Sequence, residues 1–422
     1  MLLQRTNIFE DVTKSHVQVT ETQKKNLGLT FQPNKNIGIH RWYPYVEGFS
    51  GEFVSNVLGE FGVASGTVFD PFGGCGTTGV VASHSGIKSI IVDVNPFMCF
   101  VARAKTQKYQ ISSIKAVRTR LKRKIDSYTY PKSPKDNLSN VFEDKEYFSN
   151  DSISKIRFLK QSIGRIRNDC TQDFFKLALA SILVKVSRLK RAPDLKYKSD
   201  QEQTPEVFQT YIEKLYQMQQ DVAEIEGYFT GEATVICDNI IAPLKLTSHY
   251  DNSFDIVITS PPYLNGTNYC RNTKLELWIF DYLKYKNDLR ELRRQNVTAG
   301  INSTQMKNGT KSKFPKVQKL VNKIAKNAYD RRIPVMVAAY FNEMESALKN
   351  ICRLLKNDRY CVLVIGDSFF GDTHIPTDAI LGNISEKIGF KMQDNRVVRV
   401  RKSRGGFPLH ESILVLQKKK NG

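Results

Sequence analysis

Two short strings carry the residue types best suited to chemistry: Asp70-Pro-Phe-Gly-Gly-Cys-Gly-Thr-Thr78 and Ser260-Pro-Pro-Tyr263. In the first, Gly73, Gly74 and Gly76 let the backbone approach a ligand closely. The helix expected to open at Thr77 offers free amides and a positive dipole end to a carboxylate or phosphate. In the second, Pro261 and Pro262 end a strand and donate no ladder hydrogen bonds. They leave rigid carbonyls flanked by a hydroxyl and a phenol. Each string follows an apolar run, and in an open α/β sheet ligands bind at the carboxyl ends of the strands.

The elements that must hold these strings follow from the pattern around them. Thr67 to Ser85 reads as strand, turn and helix, and Lys88 to Asp93 as the next strand. Alternation of this kind implies a parallel sheet. Residues 105–231 interrupt it with helical spacing over Ser149 to Ile163, Asp173 to Arg191 and Pro205 to Ile225. Strands resume at Ala233 to Cys237 and Phe254 to Thr259. A lysine-rich stretch, 281–333, interrupts again, with a Gly/Ser/Asn/Thr-heavy middle near 300–313 that reads as a mobile loop. Tyr340 to Leu355 reads as an amphipathic helix, Tyr360 to Ile365 as a strand, and Ile375 to Ile388 as a helix closed by Gly389. Arg396 to Val400 and Ser412 to Gln417 would make a closing antiparallel hairpin.

The economical description is one α/β catalytic domain with two inserts. Residues 1–104 are a polar arm and the first catalytic part, and 105–231 a helical insertion. Residues 232–280 continue the domain, 281–333 form a basic insertion, and 334–422 complete it.

Composition narrows the partners. Of 422 residues 41% are hydrophobic, enough for a true core, and the formal charge is +21. Residues 105–124 hold eight Lys/Arg and no acid, and 284–332 hold fourteen against three acids, so two segments contain 19 of the 21 net charges. A polyanion, most simply nucleic acid, is the partner such a distribution fits. Seven cysteines without a C-x-x-C pair argue against zinc and disulfides, so no metal is expected. The longest apolar run, Leu177 to Val184, is far short of a membrane span. These features are those of a soluble, cytoplasmic chain with no membrane partner.

Gly74-x-Gly76-x-x-Gly79 also fits the dinucleotide fingerprint, with Asp93 near the distance of a ribose-binding acid. An NAD-binding protein is the rival that the glycines alone leave open. The flanks point elsewhere, because Asp70-Pro71-Phe72 intervenes where a dinucleotide strand runs apolar into its glycine. Asp70 to Thr78 resembles motif I, and Ser260 to Tyr263 motif IV, of the AdoMet-dependent DNA amino-methyltransferases, the enzymes that methylate N4 of cytosine or N6 of adenine. Motif I precedes motif IV by about 180 residues, similar to the family's α-type order.

The resemblance implies a class I, Rossmann-like methyltransferase sheet and S-adenosyl-L-methionine (AdoMet) as cofactor. Its cofactor-binding residues would be Asp70, Pro71, Phe72, Gly73, Gly74, Gly76, Thr77 and Thr78 around the methionine part. Asp93 and Asn95, in Asp93-Val-Asn-Pro96, would hold the ribose, and Asp238 would lie near the adenine. His40-Arg-Trp-Tyr-Pro-Tyr45 with Phe49-Ser50 is similar to motif X, which brings Tyr45 and Ser50 to the cofactor. Ser260 would touch both substrates. Plainer roles stay open: aromatic core for His40 to Tyr45, a turn cap for Asp238 or Asp367, and core for Leu275 and Trp278.

The same resemblance makes Ser260, Pro261, Pro262 and Tyr263 catalytic. Ser260 Oγ and the Pro261 carbonyl would accept from an exocyclic amine, while Tyr263 stacks on a base swung out of double-stranded DNA. Asn265, Asn268 and Tyr269 could contact that base. Ser in the first position usually marks cytosine-N4 enzymes and Asp or Asn adenine-N6 enzymes, so cytosine N4 is favoured and adenine N6 is the alternative. No Pro-Cys pair occurs, which argues against methylation at cytosine C5. An RNA methyltransferase and a non-enzymatic AdoMet- or NAD-responsive DNA-binding module remain as rivals. Such enzymes serve restriction-modification, implying a cognate restriction endonuclease as functional partner; the oligomeric state is left open. The Lys185 to Lys198 stretch would suit phosphate contacts.

Overall fold

The apolar runs that precede the two strings fold as neighbouring strands of one sheet. Five strands are parallel: β1 (Thr67–Asp70), β2 (Lys88–Asp93), β3 (Ala233–Cys237), β4 (Phe254–Thr259) and β5 (Leu355–Gly366). β6 (Phe390–Lys402) and β7 (Pro408–Lys418) close one edge, with β7 antiparallel to both β5 and β6. The order across the sheet is β6-β7-β5-β4-β1-β2-β3. The structure is a computed structural model that describes residues 29–45, 47–130, 140–142, 145–191, 195–199, 201–225, 230–264, 269–304, 311–403 and 406–420.

From β1 the chain moves outward through β2 to β3, then returns to lay β4 on the other side of β1. The strand order therefore reverses between β1 and β4. A crevice opens at the carboxyl ends of strands where the order reverses, because their connections leave to opposite faces. Asp70 and Thr259 end the two strands that flank this point.

Helices α1 (Gly51–Glu60), α2 (Thr77–His84) and α3 (Pro96–Thr106) pack beside the first strands. Their starts are fixed locally. Ser50 Oγ accepts from the Phe53 amide at 3.1 Å, and Asn95 Oδ1 from the Phe97 amide at 3.1 Å, with Pro96 in the first turn. The long connection from β2 to β3 contains α4 (Ile111–Asp126), α5 (Asn150–Gly164), α6 (Asp169–Ile182) and α7 (Val207–Ile225).

These helices share one apolar cluster with Trp42, Tyr43 and the buried face of α3. The buried Asp221 carboxylate of α7 accepts from the Arg41 guanidinium and, at 2.9 Å, from Trp42 Nε1. The helical insertion is thus packed directly on the segment that leads into α1.

Several boundaries differ from the sequence expectation, β5 among them, which starts at Leu355 rather than Tyr360. The helix expected over Asp173 to Arg191 starts at Asp169 and ends at Ile182. Ser187 replaces the helical ladder there, its Oγ donating to Val184 O and accepting from Leu189 N at 3.0 Å, and Leu189–Lys190 then pairs with Lys196–Tyr197. The helix expected from Tyr340 is α11 (Arg332–Leu354), because buried Ile333, Met336 and Val337 extend the apolar stripe backward and Pro334 sits in the tolerant first turn. The closing hairpin is longer than expected, and it contains register shifts after Met392 and after Val397.

Between β4 and β5 lie α8 (Lys274–Ile279), α9 (Asp288–Gln295) and α10 (Pro315–Asn327) ahead of α11. α12 (Thr377–Glu386) connects β5 to β6, and Gly389 beyond it takes φ +123°. Most of the polar arm at 1–28, and 305–310 in the middle of the basic insertion, lie outside the described residues. Among those described, no helix is long and apolar enough to cross a membrane, and no group of three or more His, Cys, Asp or Glu is arranged to hold a metal.

Candidate active site

At the switch point Asp70 ties the two strings together. Its Oδ2 accepts from Thr78 Oγ1 at 2.6 Å, at the first turn of α2. Its Oδ1 accepts from Thr259 Oγ1 at 2.6 Å and from the Phe72 amide at 3.2 Å. The carboxylate is 2% exposed, and burial raises its pKa from 3.8 to about 6 against the pull of those hydrogen bonds. One side chain therefore sets how far the glycine turn stands from the residue that precedes Ser260.

The turn itself is shaped by close approach. A Cβ on Gly73 would lie 2.1 Å from Ile91 Cγ2, and Gly76, at φ +78°, would press one against Ala102 at 2.8 Å. Gly76, the residue before α2, takes the left-handed region, and the first amides of the helix have no acceptor within it. Asp93, at the end of β2, accepts from the Gly74 amide at 2.9 Å and the Asn95 amide at 2.8 Å. Burial raises its pKa as well, to about 6.

Two adjoining cavities open on this edge. The first, about 830 Å³ including its mouth, is lined by Tyr45, Asp70, Pro71, Phe72, Gly73, Gly74, Thr77, Asp93, Asn95, Ser260 and Pro262. The second, about 660 Å³, is lined by Ser260, Pro261, Tyr263, Tyr269, Arg399, Arg401 and Glu411. Ser260 forms part of both walls, together with Glu47, Gly48, Phe49 and Tyr269. The Ser260 hydroxyl donates to Val364 O at 3.3 Å, which leaves its oxygen lone pairs for a ligand. Tyr263 is held twice: its amide donates to Tyr269 Oη at 2.8 Å and its hydroxyl to Glu411 Oε1 at 2.9 Å.

Four of the residues expected at the cofactor stand back from the first cavity's wall. Ser50 caps α1, Thr78 holds Asp70, and Gly76 packs on Ala102. Asp238 accepts from the amides of Asn239, Leu244 and Lys245, the turn role its position equally allowed, while the neighbouring Asn239 lines the cavity. His40, Trp42 and Tyr43 are core, and burial drives the His40 pKa down to about 3. Leu275 and Trp278 are also core, whereas Asn265 and Asn268 lie outside the described residues.

The structure adds residues that the motifs did not mark: Glu47, Met98, Ile240, and Gln295 to Val297 on the first cavity, and Arg399, Arg401 and Glu411 on the second. Of the cations expected to face phosphate, Arg191 is turned inward onto Glu276 and Tyr43, each at 3.1 Å, and Arg188 pairs with Glu146. Lys185, Arg188, Lys190 and Lys196 of that stretch are exposed, and further exposed cations lie on α4 and α10. α4 buries only Ile114 and Leu121 and exposes Lys115, Arg120, Arg123 and Lys124, while α10 exposes Lys319, Lys323 and Lys326.

The first cavity suits a cationic ligand with a diol and a carboxylate. Buried Asp70 and half-buried Glu47 and Asp93 line it, and the amino end of α2 opens beside it. The second combines an aromatic face, hydrogen-bond acceptors and two guanidinium groups.

No known family model matches the chain. It is similar to Type II methyltransferase M.BsoBI of Geobacillus stearothermophilus, 27% identical over 461 residues that cover 95% of this chain and 90% of that protein. It is 23% identical to Type II methyltransferase M.AvaI of Nostoc sp., covering 86% of this chain and 82% of the relative. Type II methyltransferase M.MvaI of Kocuria varians is 23% identical, covering 76% and 74%.

Proposed function

We propose that the chain is an AdoMet-dependent DNA methyltransferase, as its likeness to Type II methyltransferases supports, and that it methylates N4 of cytosine in duplex DNA as the modifying arm of a restriction-modification system. The observation that carries this reading is Ser260, shared by the walls of two cavities that differ in chemistry. A methyl donor in the first and a base in the second would meet at that side chain.

AdoMet supplies a methyl group already bound to a good leaving group, so the protein's task is to position and polarise the acceptor. Asp93 holds the ribose hydroxyls, the glycine turn and the first amides of α2 receive the methionine carboxylate, and Tyr45 covers the cofactor. The exocyclic amine of cytosine is a poor nucleophile because its lone pair is delocalised into the ring. Ser260 Oγ and the Pro261 carbonyl accept its N–H groups, which favours a pyramidal nitrogen whose lone pair faces the first cavity. Tyr263 stacks on the base, which must leave the helix to reach this depth. The prolines fix the acceptors, and a serine in place of an acid at position 260 favours cytosine over adenine.

Duplex DNA is held by charge. The exposed cations of α4 and α10 contact phosphates, and each phosphate neutralised releases counterions and steepens the salt dependence. The inserts at 105–231 and 281–333 are the parts that read sequence. Incubation with methyl-labelled AdoMet and either duplex DNA or total RNA tests the substrate class. Label in alkali-stable polymer is expected, and label confined to RNA would overturn the DNA assignment.

A further inference from the structure

On the closing hairpin the register shift after Val397 brings Arg399 opposite Glu411. β-Bulges re-aim side chains in this way. Glu411 also pairs with Gly366 at the carboxyl end of β5, so it reaches the same edge as Ser260 from a different part of the chain.

The Glu411 side chain is 6% exposed. Its Oε1 accepts from the Tyr263 hydroxyl at 2.9 Å, but Oε2 has no hydrogen-bond partner among the described residues. Arg399 Nη1 is 3.5 Å from Oε2 and forms an ion pair without hydrogen-bond geometry. On the same wall Arg401 Nε is buried without an acceptor among the described residues. Orphaned buried polar atoms of opposite character are costly and uncommon in folded proteins. An acceptor and a donor that lack partners, on two side chains that line one cavity, are the complement of a ligand edge that carries a donor beside an acceptor.

Amino bases carry that edge: N4–H beside N3 in cytosine, N6–H beside N1 in adenine. Keto bases present the reverse, a carbonyl beside N–H, and would set oxygen against the carboxylate. We propose that Glu411 shares with the Ser260–Pro261 acceptors the amine N–H that lies beside the ring nitrogen, while Arg401 donates to that nitrogen, so that the pair admits amino bases and rejects keto bases. The proposal rests on the reading of the second cavity as the base pocket. It assigns discrimination to the hairpin and leaves methyl-acceptor positioning to Ser260.

The test uses the full chain, phage λ DNA to map the methylated site, and synthetic duplexes of that site. These duplexes carry either the target base or its keto analogue, uracil for cytosine or hypoxanthine for adenine. Glu411→Gln keeps an acceptor for Tyr263 and turns the open acceptor into a donor. The expected result is a loss of about 10- to 100-fold in single-turnover rate, as for a hydrogen bond to a charged group. AdoMet affinity and melting temperature should be unchanged, and the binding preference for amino over keto duplex should be abolished or inverted. Tyr263→Phe removes the other partner of Glu411 and should retain that preference.

An unchanged preference in Glu411→Gln, or equal loss of preference in both variants, would overturn the proposal. Should Glu411→Gln fail to fold, Arg401→Gln carries the same comparison: loss of preference is expected and its retention refutes. Methyl transfer by the wild type with an unaffected Glu411→Gln sinks this inference alone. Absence of transfer to any DNA by the wild type sinks the proposed function and this inference together.

Discussion

Replacing Thr259 by valine tests the tie between the two strings. Valine keeps the volume and deletes one of the two 2.6 Å hydrogen bonds to Asp70. Hydrogen bonds to a charged group contribute about 1.5–3 kcal/mol, and at 2% exposure no water replaces the lost donor, so a destabilisation of that size is expected at pH 8. The effect must also depend on pH. Asp70 has a folded pKa of about 6, above its unfolded value, so folding takes up a proton. Its favourable contribution is present below the unfolded pKa and is lost as pH rises through about 6.

Removing a donor to the carboxylate raises the folded pKa further, so the deficit of Thr259→Val grows with pH and is smaller at pH 5 than at pH 8. Urea unfolding at the two pH values measures it, with Thr259→Ser as the control that restores the donor. Calorimetric titration should show weaker AdoMet binding as the turn loosens. A deficit equal at both pH values, or none, would refute the assignment of Asp70 as an ionised clamp.

Other outcomes follow from the same geometry. Ser260→Ala should lower methyl transfer by about 100-fold or more while AdoMet affinity changes little, measured by labelled transfer and by titration. AdoMet affinity should fall as pH drops below about 6, by about tenfold per unit at most, because Asp93 must be ionised to accept from the ribose; Asp93→Asn should weaken binding and flatten that dependence. Gly73→Ala should cost about 1–3 kcal/mol in urea unfolding, since its Cβ would lie 2.1 Å from Ile91 Cγ2.

Much of the crevice edge of the sheet was legible because its signals are local. The glycine turn, the proline pair and the strands before them are each contained within about a dozen residues, and strand order then brings Asp70 and Thr259 together. Helix ends were less legible. Nothing in the apolar pattern of 173–191 reveals that Ser187 will end the segment in a small hairpin. Glu411 and Arg401 were invisible for a deeper reason: their approach to Ser260 depends on the register of an edge hairpin and on a one-residue shift within it. Gln295 to Val297 reach the first cavity from inside a segment whose composition signalled only charge. Likewise the basic stretch at 185–198 looked ready for phosphate, yet Arg191 serves the interior because Glu276, eighty-five positions away, is buried beside it.

The most direct test of the central claim is nucleoside mass spectrometry of unmethylated bacterial DNA after incubation with the protein and AdoMet. N4-methylcytosine, absent when Ser260→Ala replaces the wild type, is the predicted result. N6-methyladenine in its place would contradict the assignment of the base, and no methylated nucleoside in DNA that contains the mapped site would contradict the account of the two cavities.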